Sequence, residues 1–115
     1  MKEIFIKITP EFKRKAQKLM TEEAKEDLFK YLLLHPKQGK LISGAGGVRK
    51  LRWPSGLNDK GKSGGVRIIY HYSDDVLIVL VTLYGKSKKE NLTQAERNIL
   101  KRLVPVLVAK YKGEL

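Results

Sequence analysis

The stretch Val66-Arg67-Ile68-Ile69-Tyr70-His71-Tyr72-Ser73-Asp74-Asp75-Val76-Leu77-Ile78-Val79-Leu80-Val81-Thr82-Leu83-Tyr84 decides the fold. Two runs rich in β-branched and aromatic residues, Val66 to Tyr72 and Val76 to Tyr84, flank the turn former Ser73-Asp74-Asp75, so they pair as an antiparallel hairpin. Upstream, Val48-Arg49-Lys50-Leu51-Arg52-Trp53 is a third, basic strand. It is joined to the hairpin by residues 54–65, a segment rich in turn formers and longer than a tight hairpin connection. Further upstream, Glu3 to Ile8 is a short β-rich run stopped by Thr9-Pro10, which begins a helix with Thr as cap and Pro in the first turn. Phe12, Ala16, Leu19 and Met20 keep helical spacing, and Thr21 caps a second helix carrying Ala24, Leu28, Tyr31 and Leu32 to its end before His35-Pro36. Downstream, Thr93-Gln94-Ala95-Glu96 is a capping box that opens a last helix running towards Tyr111. Pro105 lies inside that helix and predicts a kink or break between Lys101 and Pro105.

The expected order is therefore β-α-α-β-β-β-α: an α+β domain spanning residues 1–115, a small antiparallel sheet with an N-terminal helical hairpin and a C-terminal helix. The helices are expected to cover one face and leave the other available. With 115 residues, a single core accounts for the chain. No apolar run approaches the ~18–20 residues of a membrane span, and the first ten residues alternate instead of forming a leader's apolar core. The expected location is the cytoplasm. The absence of cysteine excludes a disulfide scaffold or thiolate chemistry, and two histidines are too few for a His-rich metal centre.

Charge is the most informative bulk property. There are 24 Lys+Arg against 12 Asp+Glu, a formal charge of +12. Between Lys37 and Lys89 stand eleven basic and three acidic residues, whereas the first 36 residues hold eight and six. Period-2 geometry places Lys50 and Arg52 on one strand face opposite Arg49, Leu51 and Trp53, and sets Arg67, Ile69 and His71 opposite Val66, Ile68, Tyr70 and Tyr72. If the apolar sets mark the core, Lys50, Arg52, Arg67 and His71 point outward together. Lys86 to Lys89 then close one side of that surface. Interleaved with Trp53, Tyr70, Tyr72 and Tyr84, such a surface fits phosphate contacts and base stacking on RNA, against the plainer reading of a solvated basic face. The glycine-rich Gly44-Ala45-Gly46-Gly47 lacks the strand before it and helix after it that a nucleotide loop needs, and reads as a connector.

The segments Gly46-Gly47-Val48-Arg49-Lys50-Leu51-Arg52, Gly64-Gly65-Val66-Arg67-Ile68-Ile69-Tyr70 and Thr82-Leu83-Tyr84-Gly85-Lys86-Ser87-Lys88-Lys89-Glu90-Asn91-Leu92-Thr93 together resemble the RelE/HigB superfamily of toxins from type II toxin–antitoxin systems, closest to its HigB-like branch. The resemblance implies a RelE-like fold and a ribosome-dependent mRNA endoribonuclease, or mRNA interferase. Such an enzyme acts in the ribosomal A site, inhibits translation, and is neutralised by a HigA-like antitoxin. Cleavage by the RNA's own 2′-hydroxyl needs no metal and no cofactor. It needs help with deprotonation, positive charge at the phosphorane and an acid for the leaving 5′-oxygen.

By the same resemblance, Arg67 is the phosphate-stabilising arginine. Lys50, Arg52, Lys86 and His71 complete the candidate catalytic set, and Arg49, Lys60, Lys62, Tyr84, Lys88 and Lys89 the RNA-binding set. Two positions depart from the pattern: Ser87 stands where relatives carry a basic residue, and Thr93 where some carry a stacking or catalytic tyrosine. They leave open the general acid and base, and motivate the alternative of a non-catalytic RNA- or ribosome-binding protein on the same fold. A DNA-binding module is disfavoured by the lack of a helix-turn-helix with a basic recognition helix.

Overall fold

The computed structural model describes residues 3–57, 65–86, 89 and 91–115. Its elements are β1 (Phe5–Ile8), α1 (Pro10–Leu19), α2 (Glu22–Leu34), β2 (Lys40–Leu41), β3 (Val48–Trp53), β4 (Val66–Ser73), β5 (Leu77–Gly85) and α3 (Gln94–Gly113). The α+β class holds, and the expected hairpin is present. Asp74 and Asp75 take φ of 51° and 59°, and Val76 N–H donates to Ser73 C=O at 3.1 Å. Two consecutive left-handed residues match the twist of the strands they join.

Three expectations are corrected. The sheet has five strands in the order β1-β5-β4-β3-β2 and is mixed, because β1 lies parallel to β5 while the other neighbours are antiparallel. The two-residue β2, paired with Arg49 and Lys50, adds a strand to the expected order; so short a run shows no alternation to read. Of the kink or break expected at Pro105, the break is absent, because α3 continues through it. Pro105 is exposed while Val104 before it is buried and Leu107 and Val108 after it pack on the sheet, so both halves of the helix are held by the same surface.

The third correction matters most for function: both faces of the sheet are covered. On one, α1 and α2 bring Phe12, Ala16, Met20, Leu28 and Leu32 against Val66, Ile68, Tyr70, Ile78, Leu80 and Leu83. On the other, α3 and the segment before it bring Leu92, Leu100, Val104 and Tyr111 against Val48, Ile69, Leu77, Val79, Val81 and Tyr84. The loop before β3 completes this second layer. Gly46 has φ +74°, and a Cβ there would meet the Leu100 carbonyl at 2.8 Å, so only glycine lets the loop lie directly on α3.

A β-bulge controls which side chains share a face. Ile69 pairs with Thr82 and Tyr70 with Leu80, leaving Val81 as the extra residue of β5. Before it, Leu77 and Val79 face α3 and Ile78 and Leu80 face α1 and α2; after it, the parity is reversed, so Leu83 joins the first core and Tyr84 the second. Thr9 secures the bulge. Its hydroxyl donates to the Val81 carbonyl at 2.7 Å and accepts from Phe12 N–H at 3.0 Å, so one buried side chain serves the bulge and the cap of α1.

Other caps also follow the sequence. Thr21 accepts from Ala24 N–H at 3.1 Å, and the α3 capping box closes through Thr93 Oγ1 to Glu96 N–H at 3.1 Å and Glu96 Oε1 to Thr93 N–H at 2.8 Å. Tyr70 is wholly buried; its hydroxyl donates to Pro36 C=O at 2.8 Å and accepts from Gly39 N–H at 2.9 Å. Burial pushes this phenol's pKa up, so it remains a neutral strut for the loop after α2.

Thr9→Ala removes a helix cap and the partner of a buried carbonyl, and the expected loss of stability is about 2–3 kcal/mol. Thr9→Ser keeps both bonds and recovers most of that loss. Urea denaturation of the two variants beside the parent chain checks the difference.

Candidate functional site

The pairing register assembles a row of side chains across three strands. Arg52 of β3 lies opposite Arg67 of β4, and Arg67 opposite Tyr84 of β5. Directly opposed residues of neighbouring strands share a face, with Cβ atoms roughly 4.5–5.5 Å apart. The row runs from the surface inward: Arg52 is exposed, Arg67 is 2% exposed and Tyr84 is 7% exposed. It opens to solvent at Arg52 because β2 pairs only with Arg49 and Lys50, leaving the far end of β3 at the sheet's rim. In the next row, Lys50 lies opposite Ile69 and reaches over to Asn91 Oδ1, at 2.8 Å from its Nζ.

The segment between β5 and α3 closes this corner. Lys86 follows β5 directly, its N–H 3.5 Å from the Gly65 carbonyl. Lys89 forms an ion pair with Glu96, and its Nζ sits 4.8 Å from the centre of the Tyr84 ring. The Glu96 carboxyl is held below its ordinary pKa, first by the hydrogen bond from Lys89 and then by Thr93 N–H. One acid thus ties Lys89 to the start of α3.

Of the sequence candidates, Lys50, Arg52, Arg67, Tyr84, Lys86 and Lys89 come together here. Several others do not. His71 shares their face but stands four residues along β4 from Arg67, about 13 Å at strand rise, and its Nδ1 is 3.0 Å from the Gly47 carbonyl. It belongs to the loop under α3, away from the arginine row. Arg49 is on the opposite face, where its guanidinium donates to the carbonyls of Lys37 at 3.1 Å and Gly39 at 2.8 Å. There it pins a loop and is turned away from the basic row.

The expectation that Lys50, Arg52, Arg67 and His71 point outward together is corrected for Arg67, which is buried; Arg52 is exposed, and Lys50 and His71 are half-buried on the face that α3 covers. Nor do the aromatic residues interleave with them. Trp53 donates its indole N–H to Ala24 C=O at 3.0 Å and packs on Tyr31, while Tyr70 and Tyr72 belong to the core under α1 and α2. Only Tyr84 shares the arginine face, through the bulge at Val81. Lys60, Lys62, Ser87 and Lys88 lie outside the described residues. Thr93, placed where some relatives carry a tyrosine, spends its hydroxyl on the helix cap.

Sequence reasoning missed Asn91, which holds Lys50, and Arg97, on the inner side of α3. Their signal was available only in part: the capping box marks where α3 begins, but no local pattern says which strand the helix crosses. No family model matches the chain. No helix among the described residues is long and apolar enough to cross a membrane.

Two guanidinium groups directly opposed on neighbouring strands repel, and the arrangement is favourable only with anionic charge beside them. The row sets two planar guanidinium groups at a recessed site whose open end is basic. Lys50, Lys86 and Lys89 add further positive charge at this corner, with Lys89 paired to Glu96.

The Glu96 carboxylate stabilises the fold as an anion, so its contribution is present above the ordinary carboxylate range and is lost as pH falls through its lowered pKa. Glu96→Gln is therefore expected to lower the thermal midpoint at pH 7, and its difference from the parent is expected to shrink as pH falls below the ordinary carboxylate range and through the lowered pKa. Melting curves across that range test the sign.

Proposed function

We propose that the chain is the toxin of a type II toxin–antitoxin system of the RelE/HigB kind, HigB-like branch, acting as an mRNA endoribonuclease in the ribosomal A site. The observation that carries the reading is the Arg52–Arg67 pair set in register beside Lys50, on a sheet whose three motif segments resemble that family. In this reading the 2′-oxygen of the RNA attacks the adjacent phosphorus, the P–O5′ bond breaks, and the products are a 2′,3′-cyclic phosphate and a 5′-hydroxyl. Arg67, fixed by burial between β3 and β5, neutralises the equatorial oxygens of the phosphorane. Arg52 takes the same phosphate from the solvent side. Lys50, oriented by Asn91, guides the strand and assists deprotonation, and Lys86 is assigned to protonate the leaving oxygen. The reaction moves two protons and no electrons, so these side chains suffice without a metal or cofactor. A HigA-like antitoxin is the proposed neutralising partner and the cytoplasm the proposed location.

Two observations favour a second reading, a ribosome-binding protein without nuclease activity: the Thr93 hydroxyl is committed to the cap of α3, and His71 lies about 13 Å along the strand from Arg67. That reading predicts ribosome binding without new RNA ends.

Mapping of mRNA 5′ ends by primer extension in a translating extract separates the two. The parent chain is expected to create new ends and Arg67→Ala to lower kcat by roughly 10²–10³, the usual worth of one donor to a developing oxyanion. Arg67→Lys keeps a charge without the bidentate fork and should fall between them. Circular dichroism confirms folding of each variant. Cleavage by Arg67→Ala at the parental rate overturns the assigned role.

A further inference from the structure

Arg97 is the one basic residue of α3 whose position calls for an anion. Its Nε is buried and has no hydrogen-bond partner among the described residues. A buried polar group of a cationic side chain is costly in that state, and native structures rarely keep one without a ligand, water or function to satisfy it.

Its place in the fold follows from its neighbours. At one end, Asn91 just before the helix holds Lys50, and Leu92 packs in the cluster with Tyr84. At the other, Lys112 pairs with Asp74 in the β4–β5 turn, so α3 runs from the arginine row towards that turn. Helix positions 96, 99, 100, 103 and 107 line a groove shared with Thr9, Pro10 and Lys15, on the β5 side. The backbone of Lys101 and the Val104 side chain, which are absent from that groove, lie against Gly46 on the β3 side together with the Leu100 carbonyl. Arg97, one turn before Lys101, continues that second side, about 6 Å nearer the arginine row. Along the helix it therefore falls between the Lys50–Asn91 bond and the Gly46 contact.

We infer that Arg97 is a second anion-binding residue of this corner, holding a phosphate of the RNA strand next to the one taken by Arg52 and Arg67. The inference rests on the RNA reading of that site. Arg97 acts in binding and positioning, while bond breaking stays with the Arg67 row.

The test uses the folded full chain and a fluorescein-labelled 2′-O-methyl oligoribonucleotide, which binds without being cleaved, followed by anisotropy over a salt series. Arg97→Gln is expected to weaken binding roughly tenfold, the worth of one charge-assisted hydrogen bond, and to reduce the slope of log K against log salt by about one. Arg97→Lys should restore the slope. Arg102→Gln, which removes an exposed arginine of the same helix, should leave both quantities near the parent values. Equal effects of the two glutamine variants, no effect of Arg97→Gln, or no binding by the parent would overturn the inference. Primer extension on the parent chain is scored separately: absence of cleavage with an Arg97-dependent slope defeats the nuclease reading alone, and cleavage with an unchanged slope defeats the Arg97 assignment alone.

Discussion

The extra residue at Val81 is the constraint on which the rest of the structure depends. Strict alternation from Leu77 would place Tyr84 with Ile78 and Leu80, under α1 and α2. The bulge reverses that parity for the last part of β5, so Leu83 fills the first core and Tyr84 closes the row begun by Arg52 and Arg67. The Thr9 hydroxyl satisfies the bulge carbonyl while capping α1, which couples the start of the first helix to the face of the sheet that carries the arginines. A single buried hydroxyl therefore links the packing of one layer to the composition of the other.

With both faces covered, the basic residues occupy a corner where the roof ends. α3 is set over Leu77, Val79 and Ile69, and its first turn is tied down by the capping box, by the Lys89–Glu96 pair and by Leu92. Arg67 lies under this roof and Arg52 beyond its edge. A buried guanidinium opposed to an exposed one makes a site that is rigid at its inner end and open at its outer end. In the proposed reading, a fixed inner charge of this kind costs little reorganisation when a phosphate arrives.

Much of the fold was legible because its signals are local. The hairpin turn is written in Ser73-Asp74-Asp75, where two residues tolerate left-handed backbone. The helix starts are written in Thr9, Thr21 and Thr93, each with a hydroxyl one turn from the amide it caps. The strand faces of β3 and β4 followed from period 2, which correctly grouped Lys50 and Arg52 and set Arg67 apart from Tyr70. The errors were non-local. Arg49 reads like any strand arginine, and its role emerges only when the loop after α2 brings two carbonyls to it. Trp53 and Tyr72 resemble stacking residues until α2 is seen to cover them. Pro105 ordinarily interrupts a helix, but here the sheet grips the turns on either side.

By itself the sequence determined the α+β class, the helix caps, the hairpin and the concentration of positive charge between Lys37 and Lys89, because each depends on near neighbours or simple counts. Only the tertiary structure decided which of those charges meet. The bulge at Val81 set Tyr84 beside Arg67, and the segment leading into α3 brought Asn91 to Lys50. These are packing outcomes between segments distant in the chain, where burial of two apolar layers dominates. No local pattern encodes the level at which a helix crosses a strand.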